Sequence, residues 1–140
     1  MSEKEKIEEK KNWLRRYRKN RACLGRLEEK LKTLEERMKS AKSPNYSGMP
    51  RGGKPVTIDE LMSDKLELEQ RIERMKAKGY NIKAEILCEI DSLDEVRYAE
   101  ILELFFVGCM TFEEIAADMG YSVRRVIELY SEAIKKLIAV

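Results

Sequence analysis

The chain lacks histidine altogether, and it has no run of about 18 apolar residues, which is the length that a membrane-spanning helix needs. The first absence excludes a histidine base, a histidine metal ligand and a histidine pH switch. Motifs that pair a nucleophile with a base are missing too, as is the nucleotide-binding signature GxxxxGK(S/T). We therefore expect no enzyme activity, no cofactor, no metal site and no membrane partner.

Cysteines and aromatic residues are scarce. Cys23, Cys88 and Cys109 are odd in number and widely separated, without disulfide-framework or zinc spacing, so a reduced cytoplasm fits best. Aromatic residues make up 7% of the chain and charged residues 39%. This composition is poor material for a large globular core and is typical of long surface helices, so we expect an all-α protein.

The most informative stretch is residues 111–137, TFEEIAADMGYSVRRVIELYSEAIKKL. Its pattern predicts a short helix, a tight turn and a second helix, which is the layout of a DNA-binding helix-turn-helix. Thr111 and Glu114 have the spacing of a capping box. Gly120 allows a left-handed turn without a Cβ penalty, and Ser122 can cap the second helix. The positions predicted to face the core are Ile115, Ala116, Met119, Val126, Tyr130, Ala133 and Leu137.

The second of these helices is predicted to present its polar side chains outward. Arg124 and Arg125 lie in its first turn, where a recognition helix contacts base edges, and arginine pairs with guanine through two hydrogen bonds. Lys135 and Lys136 suit phosphates, which position a protein without specifying sequence. The alternative is an ordinary solvated face of an amphipathic helix. The candidate DNA-binding residues are Thr111, Ser122, Arg124, Arg125, Glu128, Ser131, Lys135 and Lys136.

The stretch from Leu93 to Leu137 resembles region 4 of sigma-70-type factors. The whole chain is similar to small sigma-region-4-like proteins of phages and prophages, related to late transcription regulators of the RinA and ArpU type. In those proteins a charged helical segment precedes the module, and the connecting loop carries a run like SGMPRGGK at residues 47–54. The residues that match the sigma pattern are Leu93, Asp94, Ile101, Leu102, Gly108, Thr111, Glu113, Glu114, Ile115, Ala116, Gly120, Tyr121, Ser122, Val123, Val126 and Ala133 to Leu137.

This resemblance implies transcription control in a phage or prophage. It implies double-stranded DNA as the partner of Ser122, Arg124 and Arg125, and RNA polymerase as a candidate second partner. In one place the chain departs from the sigma pattern. Sigma factors often have arginine and tyrosine just before the glycine at position 108, where this chain has the apolar residues 104–107, LFFV.

The net charge of +2 is unevenly distributed. Residues 1–40 carry 14 basic and 8 acidic side chains, and residues 41–58 add 3 basic and no acidic ones. Residues 93–140 carry 5 basic and 9 acidic side chains, a net charge of −4. Phosphate neutralisation supplies much of the affinity for DNA. The basic N-terminal half, a dimer or a partner such as polymerase would therefore have to supply the missing positive charge.

The N-terminal half is predicted to form an antiparallel helical hairpin with a coiled-coil-like seam. The seam extends upstream through Trp13, Tyr17 and Asn20, and Asn20 would either fix register or partner number or reach solvent. Thr57 and Glu60 have the spacing of a second capping box. The seam positions, spaced mainly three or four apart, are Leu24, Leu27, Leu31, Leu34, Met38, Leu61, Leu68, Ile72 and Met75.

Residues 40–57 interrupt the helical pattern with prolines and glycines, which predicts an irregular basic loop. Arg51 and Lys54 are candidate phosphate contacts, because glycine lets the backbone come close to a phosphate. The alternative is a mobile connector whose charges keep it soluble.

The sequence thus divides into a hairpin at residues 1–78, a connecting helical segment at 79–92 and a helix-turn-helix domain at 93–140. A bend is predicted at residues 79–81, and Ser92 with Glu95 would cap a helix that ends at Gly108. A second apolar stripe on the last helix is expected to pack on the connecting segment or on a second subunit, or to enlarge a single core. Its residues are Ile127, Ile134 and Ile138, and those of the connecting segment are Ile82, Ile86 and Ile90.

The expected function is transcriptional regulation through binding of promoter-region DNA by a homo-oligomer, with a dimer favoured. Two other classes of protein stay open. One is an adaptor that binds RNA polymerase or a sigma factor without contacting DNA. The other is a DNA-packaging component similar to a small terminase subunit, which also joins a helix-turn-helix to an oligomerising helical segment.

Overall fold

Six α-helices and one π-helical turn make up the part of the chain that the computed structural model describes, residues 2–42 and 57–139, and no strand occurs there. The all-α prediction is therefore confirmed for these residues. Arg51, Lys54 and most of the predicted loop lie outside them. The helices are α1 (Glu3–Leu14), α2 (Arg16–Lys42), α3 (Ile58–Ile90), α4 (Val96–Leu102), α5 (Phe112–Met119) and α6 (Val123–Ala139), with the π-helical turn at Glu103–Val107.

Side-chain hydrogen bonds cap the first turns of α1 and α3. The Ser2 hydroxyl accepts a hydrogen bond from the Glu5 amide at 3.2 Å, and Thr57 caps α3 in the same way through the Glu60 amide at 3.2 Å. Arg15 separates α1 from α2, yet its carbonyl still accepts from the Lys19 amide at 3.0 Å. The direction of the chain is therefore nearly preserved from α1 into α2.

The predicted bend at residues 79–81 is wrong, because α3 runs without interruption from Ile58 to Ile90. Gly79 is buried and faces Asn20 of α2, where an added Cβ would lie 2.9 Å from the Asn20 Cγ atom. Asn20 is only 6% exposed, so the alternative that it reaches solvent is also wrong. The glycine lets two helices approach closely and does not form a turn.

Replacing Gly79 tests this close approach. We expect Gly79→Ala to be about 1–3 kcal/mol less stable than Gly25→Ala, because overpacking forces buried side chains out of place. Gly25 is the matched control, since it lies in α2 and a Cβ there would meet nothing within 4 Å. Urea unfolding followed by circular dichroism would measure the difference.

The double variant Gly79→Ala, Asn20→Ala adds a second control. Removing the Asn20 side chain should recover part of the loss caused by Gly79→Ala, so the two substitutions should be coupled and not additive. Equal stabilities for Gly79→Ala and Gly25→Ala would contradict the assignment of Gly79 to helix packing.

One of the two compact units of the chain is formed by Ala22–Ala77, from the greater parts of α2 and α3. Leu31, Met38 and Met75 are half-buried at its edge, and Lys65 Nζ lies 3.9 Å from Glu35 Oε1 across the two helices. The predicted seam therefore supplies the core of this unit. Its buried residues are Leu24, Leu27, Leu34, Leu61, Leu68 and Ile72.

The other unit combines Met1–Arg21 with Lys78–Val140. The first 21 residues had been assigned to the hairpin, but here they cluster with the C-terminal helices. Arg16 of α2 meets Glu85 of α3 at 2.5 Å, and Asn20 meets Gly79, so these two stretches run antiparallel. The core of the unit consists of Leu14, Ile82, Ile86, Ile90, Ile101, Leu102, Phe106, Ile115, Ala116, Val126, Leu129, Tyr130, Ala133, Ile134 and Leu137.

The start of α4 differs from the prediction. Glu95 is the N-cap residue and its side chain makes no capping hydrogen bond, so the proposed capping box is wrong. The Ser92 hydroxyl instead donates to the Glu89 carbonyl at 2.6 Å and so closes the end of α3. Gly108 follows the π-helical turn and ends this helical stretch, as predicted. Within the described ranges, no helix combines the length and the apolar character needed to span a membrane.

Candidate nucleic-acid interface

The helix α5 begins at a complete capping box, which confirms the prediction for Thr111. The Thr111 hydroxyl accepts from the Glu114 amide at 3.1 Å, and the Thr111 amide donates to the Glu114 carboxylate at 3.2 Å. α5 ends at Gly120, whose φ of 73° lies in the left-handed region. The amide of Tyr121 then donates to the Ala116 carbonyl at 3.0 Å. These local bonds turn the chain sharply from α5 into α6.

Ser122 caps α6 through its hydroxyl, as predicted. The Ser122 Oγ atom accepts a hydrogen bond from the Arg125 amide at 3.1 Å. A hydroxyl that accepts from an amide still has its own hydrogen to donate. Ser122 and Thr111 are both exposed, so each can hold its helix and also donate to a phosphate oxygen.

The inner side of α6 packs against α4, α5 and α1. The α6 positions predicted to face the core are all buried, namely Val126, Tyr130, Ala133 and Leu137. Of the predicted core positions on α5, Ile115 and Ala116 are buried and Met119 is half-buried. Leu129 is 1% exposed but was missed, although its spacing of three from Val126 and four from Ala133 would have identified it. Ile127, in contrast, is 43% exposed, so within one chain it packs neither on the connecting segment nor in a single core, whereas Ile134 is buried.

The outer side of α6 carries the predicted polar side chains. The Arg124 side chain is 91% exposed, and it projects from the first turn directly after the Ser122 cap. No other part of the unit covers it. The other predicted residues on α6, all exposed, are Arg125, Glu128, Ser131, Lys135 and Lys136.

Glu128 joins the two arginines of this surface. Its carboxylate lies 3.5 Å from Arg124 Nε and 3.4 Å from Arg125 Nη1. Exposed ion pairs of this kind contribute at most about 1 kcal/mol. The ion pairs with Glu128 orient the two arginine side chains only weakly. A guanine or a phosphate can therefore displace the carboxylate.

The two lysines at the other end of α6 have different surroundings. Lys136 lines a groove with Asp94, Glu95 and Tyr98, so acidic side chains share its surface. Lys135 is exposed and has no acidic partner within 4 Å among the residues that the structure describes. Lys135 is accordingly the better placed of the two for a phosphate.

α4 carries two polar contacts near α6. The Tyr98 hydroxyl donates to Glu132 at 2.8 Å, and this hydrogen bond raises the pKa of Tyr98 above its ordinary value. Arg97 pairs with Glu95 at 3.2 Å, and hydrogen bonds with Glu95 and then Tyr121 raise the pKa of Arg97. The Tyr98–Glu132 hydrogen bond therefore joins α4 to α6, whereas the Arg97–Glu95 pair is local to the start of α4.

Phe105 and Phe106 of the apolar stretch 104–107 belong to an aromatic cluster, and Leu104 and Val107 are partly buried against the same core. Phe106 is fully buried, and Phe105 stacks on Phe112 with ring centroids 4.8 Å apart. Arg18 of α2 lies over Phe105, with its guanidinium carbon 4.3 Å from the ring centroid, and donates to the Met110 carbonyl at 3.3 Å. Nothing in the sequence around Arg18 indicates this role, because its partners Phe105 and Met110 are far away along the chain.

Other kinds of site are not apparent in the described parts of the chain. No group of three or more cysteine, aspartate or glutamate side chains could hold a metal ion in residues 2–42 and 57–139. Comparison with protein-family models, with curated proteins and with solved structures found no match for the chain. The function of the protein is therefore inferred from the arrangement of the residues in its own chain.

Proposed function

We propose that this protein is a transcriptional regulator that binds promoter-region DNA through a sigma-region-4-like helix-turn-helix formed by α5 and α6. The single observation that carries this function is the exposed Arg124 in the first turn of α6, directly after a left-handed glycine turn and a serine cap. Recognition helices contact base edges from this turn.

The proposal also covers the N-terminal half of the chain and the oligomeric state. Residues in α2 and α3 form an antiparallel, coiled-coil-like hairpin, and the helix-turn-helix follows it. The seam residues buried in the Ala22–Ala77 unit support the hairpin. The resemblance to phage and prophage regulators suggests phage gene control in a cytoplasm, and a homodimer would present two copies of α6 to the two halves of a palindromic site.

Selection from a randomised duplex library with the full-length protein tests this function. We expect a preferred sequence to emerge and to be bound more tightly than a scrambled duplex, by about 1,000-fold or more at physiological salt. Equal affinity for all duplexes, or no binding, would overturn the function. Circular dichroism of the same sample shows whether the protein is folded.

The acidic net charge of residues 93–140 favours one alternative, an adaptor that docks on RNA polymerase or a sigma factor. A pull-down that retains polymerase subunits from a protein with no affinity for DNA would select the adaptor. Light scattering separates the third class, because a ring of many copies would favour a packaging component and a dimer would favour the regulator.

A further inference from the structure

Residues 10–26 carry eight basic side chains and no acidic one. The first part of this run, up to Arg21, belongs to the same unit as α5 and α6. The C-terminal 48 residues have a net charge of −4, so a DNA-binding surface there needs positive charge from elsewhere. Residues 10–21 of the basic run can supply this positive charge, because they belong to the same unit.

Some of these cations already have partners inside the unit. Lys10 pairs with Glu89, and Arg16 pairs with Glu85 at 2.5 Å, which joins α1 and α2 to α3. Arg18 covers the Phe105 ring. These three side chains hold the fold together and are not available to a ligand.

Arg15 and Lys19 are different. Neither has a carboxylate within 4 Å among the described residues, and the only polar side-chain partner of Arg15 is the neutral Asn12 at 3.1 Å. The hydrogen bond from the Lys19 amide to the Arg15 carbonyl sets them one helical turn apart on the same face. Lys19 is exposed and Arg15 is half-buried. Together they form a patch of two uncompensated positive charges, the Arg15–Lys19 patch.

The packing of α1 on α6 places Arg15 close to α6. Lys6 lines a groove with Ile138 near the end of α6, while Lys11 lies over Tyr130, with its Nζ atom 5.6 Å from the ring centroid. α1 therefore packs along α6, and its C-terminal end leads directly into Arg15. Burial raises the pKa of Tyr130 and the charge of Arg15 lowers it, which independently indicates that Arg15 lies near α6.

A second contact ties the same turn of α2 to the start of α5. Arg18 donates to the Met110 carbonyl, one residue before the Thr111 cap. Lys19 is the next residue along α2. The patch thus lies on a segment held beside the first turn of α5, and helix N-termini attract phosphate groups.

We propose that Arg15 and Lys19 bind the sugar–phosphate backbone of the same DNA duplex whose bases Arg124 contacts. This inference rests on the proposed function and adds a second, sequence-independent contact surface to it. Phosphate contacts position a protein and supply salt-dependent affinity without carrying sequence information. The patch would offset part of the acidic charge of residues 93–140.

The salt dependence of DNA binding by the full-length protein tests this inference. For Arg15→Ala, Lys19→Ala, the slope of log affinity against log salt concentration should become shallower by about 2, one for each lost phosphate contact. Affinity should fall equally on the selected and the scrambled duplex. The matched control is Arg74→Ala, Lys83→Ala, which removes one arginine and one lysine exposed on α3 and should leave the slope unchanged.

Lys19→Ala alone keeps the test valid if the double variant unfolds, because Lys19 is exposed and its slope change should be about 1. A wild-type slope on both duplexes for these variants would overturn the patch while leaving base contact by Arg124 intact. A wild-type protein that binds DNA with no sequence preference, but with a slope that falls in the patch variants, would support the patch and overturn the proposed function. A protein with no affinity for any duplex would overturn both.

Discussion

Arg124→Ala is expected to abolish discrimination at one base pair of the selected site. The free protein holds this side chain 91% exposed, beside Glu128. A bidentate arginine–guanine pair supplies about 1–3 kcal/mol of discrimination, so preference for the guanine should fall by roughly 5- to 150-fold. Affinity for a scrambled duplex should change much less. Competition between the selected duplex and single-base variants, measured by fluorescence anisotropy, would show this directly.

The control for this experiment is Arg74→Ala, which removes an exposed arginine from α3 and should alter neither affinity nor preference. Arg124→Lys is informative as well, because lysine keeps the charge but cannot make the two parallel hydrogen bonds. It should retain affinity for the scrambled duplex and lose discrimination for the guanine of the selected one. If Arg124→Ala weakened binding to every duplex by the same factor, the side chain would contact phosphate and not a base.

Ile86→Ala should destabilise the unit that contains α6 by about 2–5 kcal/mol, the usual cost of removing a fully buried isoleucine side chain beyond Cβ. Ile86 is 0% exposed and lies in α3, yet it shares a core with residues of α4, α5 and α6. The loss combines the lost burial of the side chain with the cavity that remains. Thermal or urea unfolding followed by circular dichroism would measure it.

Ile127→Ala is the matched control, because Ile127 lies in the same unit but is 43% exposed. Its substitution should cost less than about 1 kcal/mol, since less apolar area is removed from the interior. Equal losses for the two variants would mean that α3 does not support the C-terminal helices. Ile127 lies one helical turn from Arg124 on α6, so its substitution could also alter DNA binding. DNA affinity should therefore be measured for both variants, at a temperature where both are folded.

Local sequence signals predicted where α5 begins and ends and where α6 begins. Thr111, Gly120 and Ser122 have the capping and turn roles predicted for them, because each acts on a backbone group no more than four residues away. The buried stripe of α6 followed from helical periodicity for the same reason. Such features depend on residues that are close together in the sequence, so the sequence is enough to identify them.

Two residues whose types have more than one structural use were misassigned. Gly79 has the composition of a bend, but its role is to make room for Asn20 on another helix. Ser92 has the spacing of an N-cap, but its hydroxyl bonds back to Glu89 at the end of α3. In both cases a residue type with two physical uses was assigned the wrong one, because only packing selects between them.

The sequence alone determined that the described chain is helical, where α5 and α6 begin, and which side chains of α6 point away from the core. Only the tertiary structure decided that the first 21 residues join the C-terminal helices, and which cations there keep their charge uncompensated. Arg18 illustrates the physical reason, since its bond to Met110 spans 92 residues. Helix periodicity and capping act over one turn, whereas the pairing of charges and apolar faces depends on which helices meet.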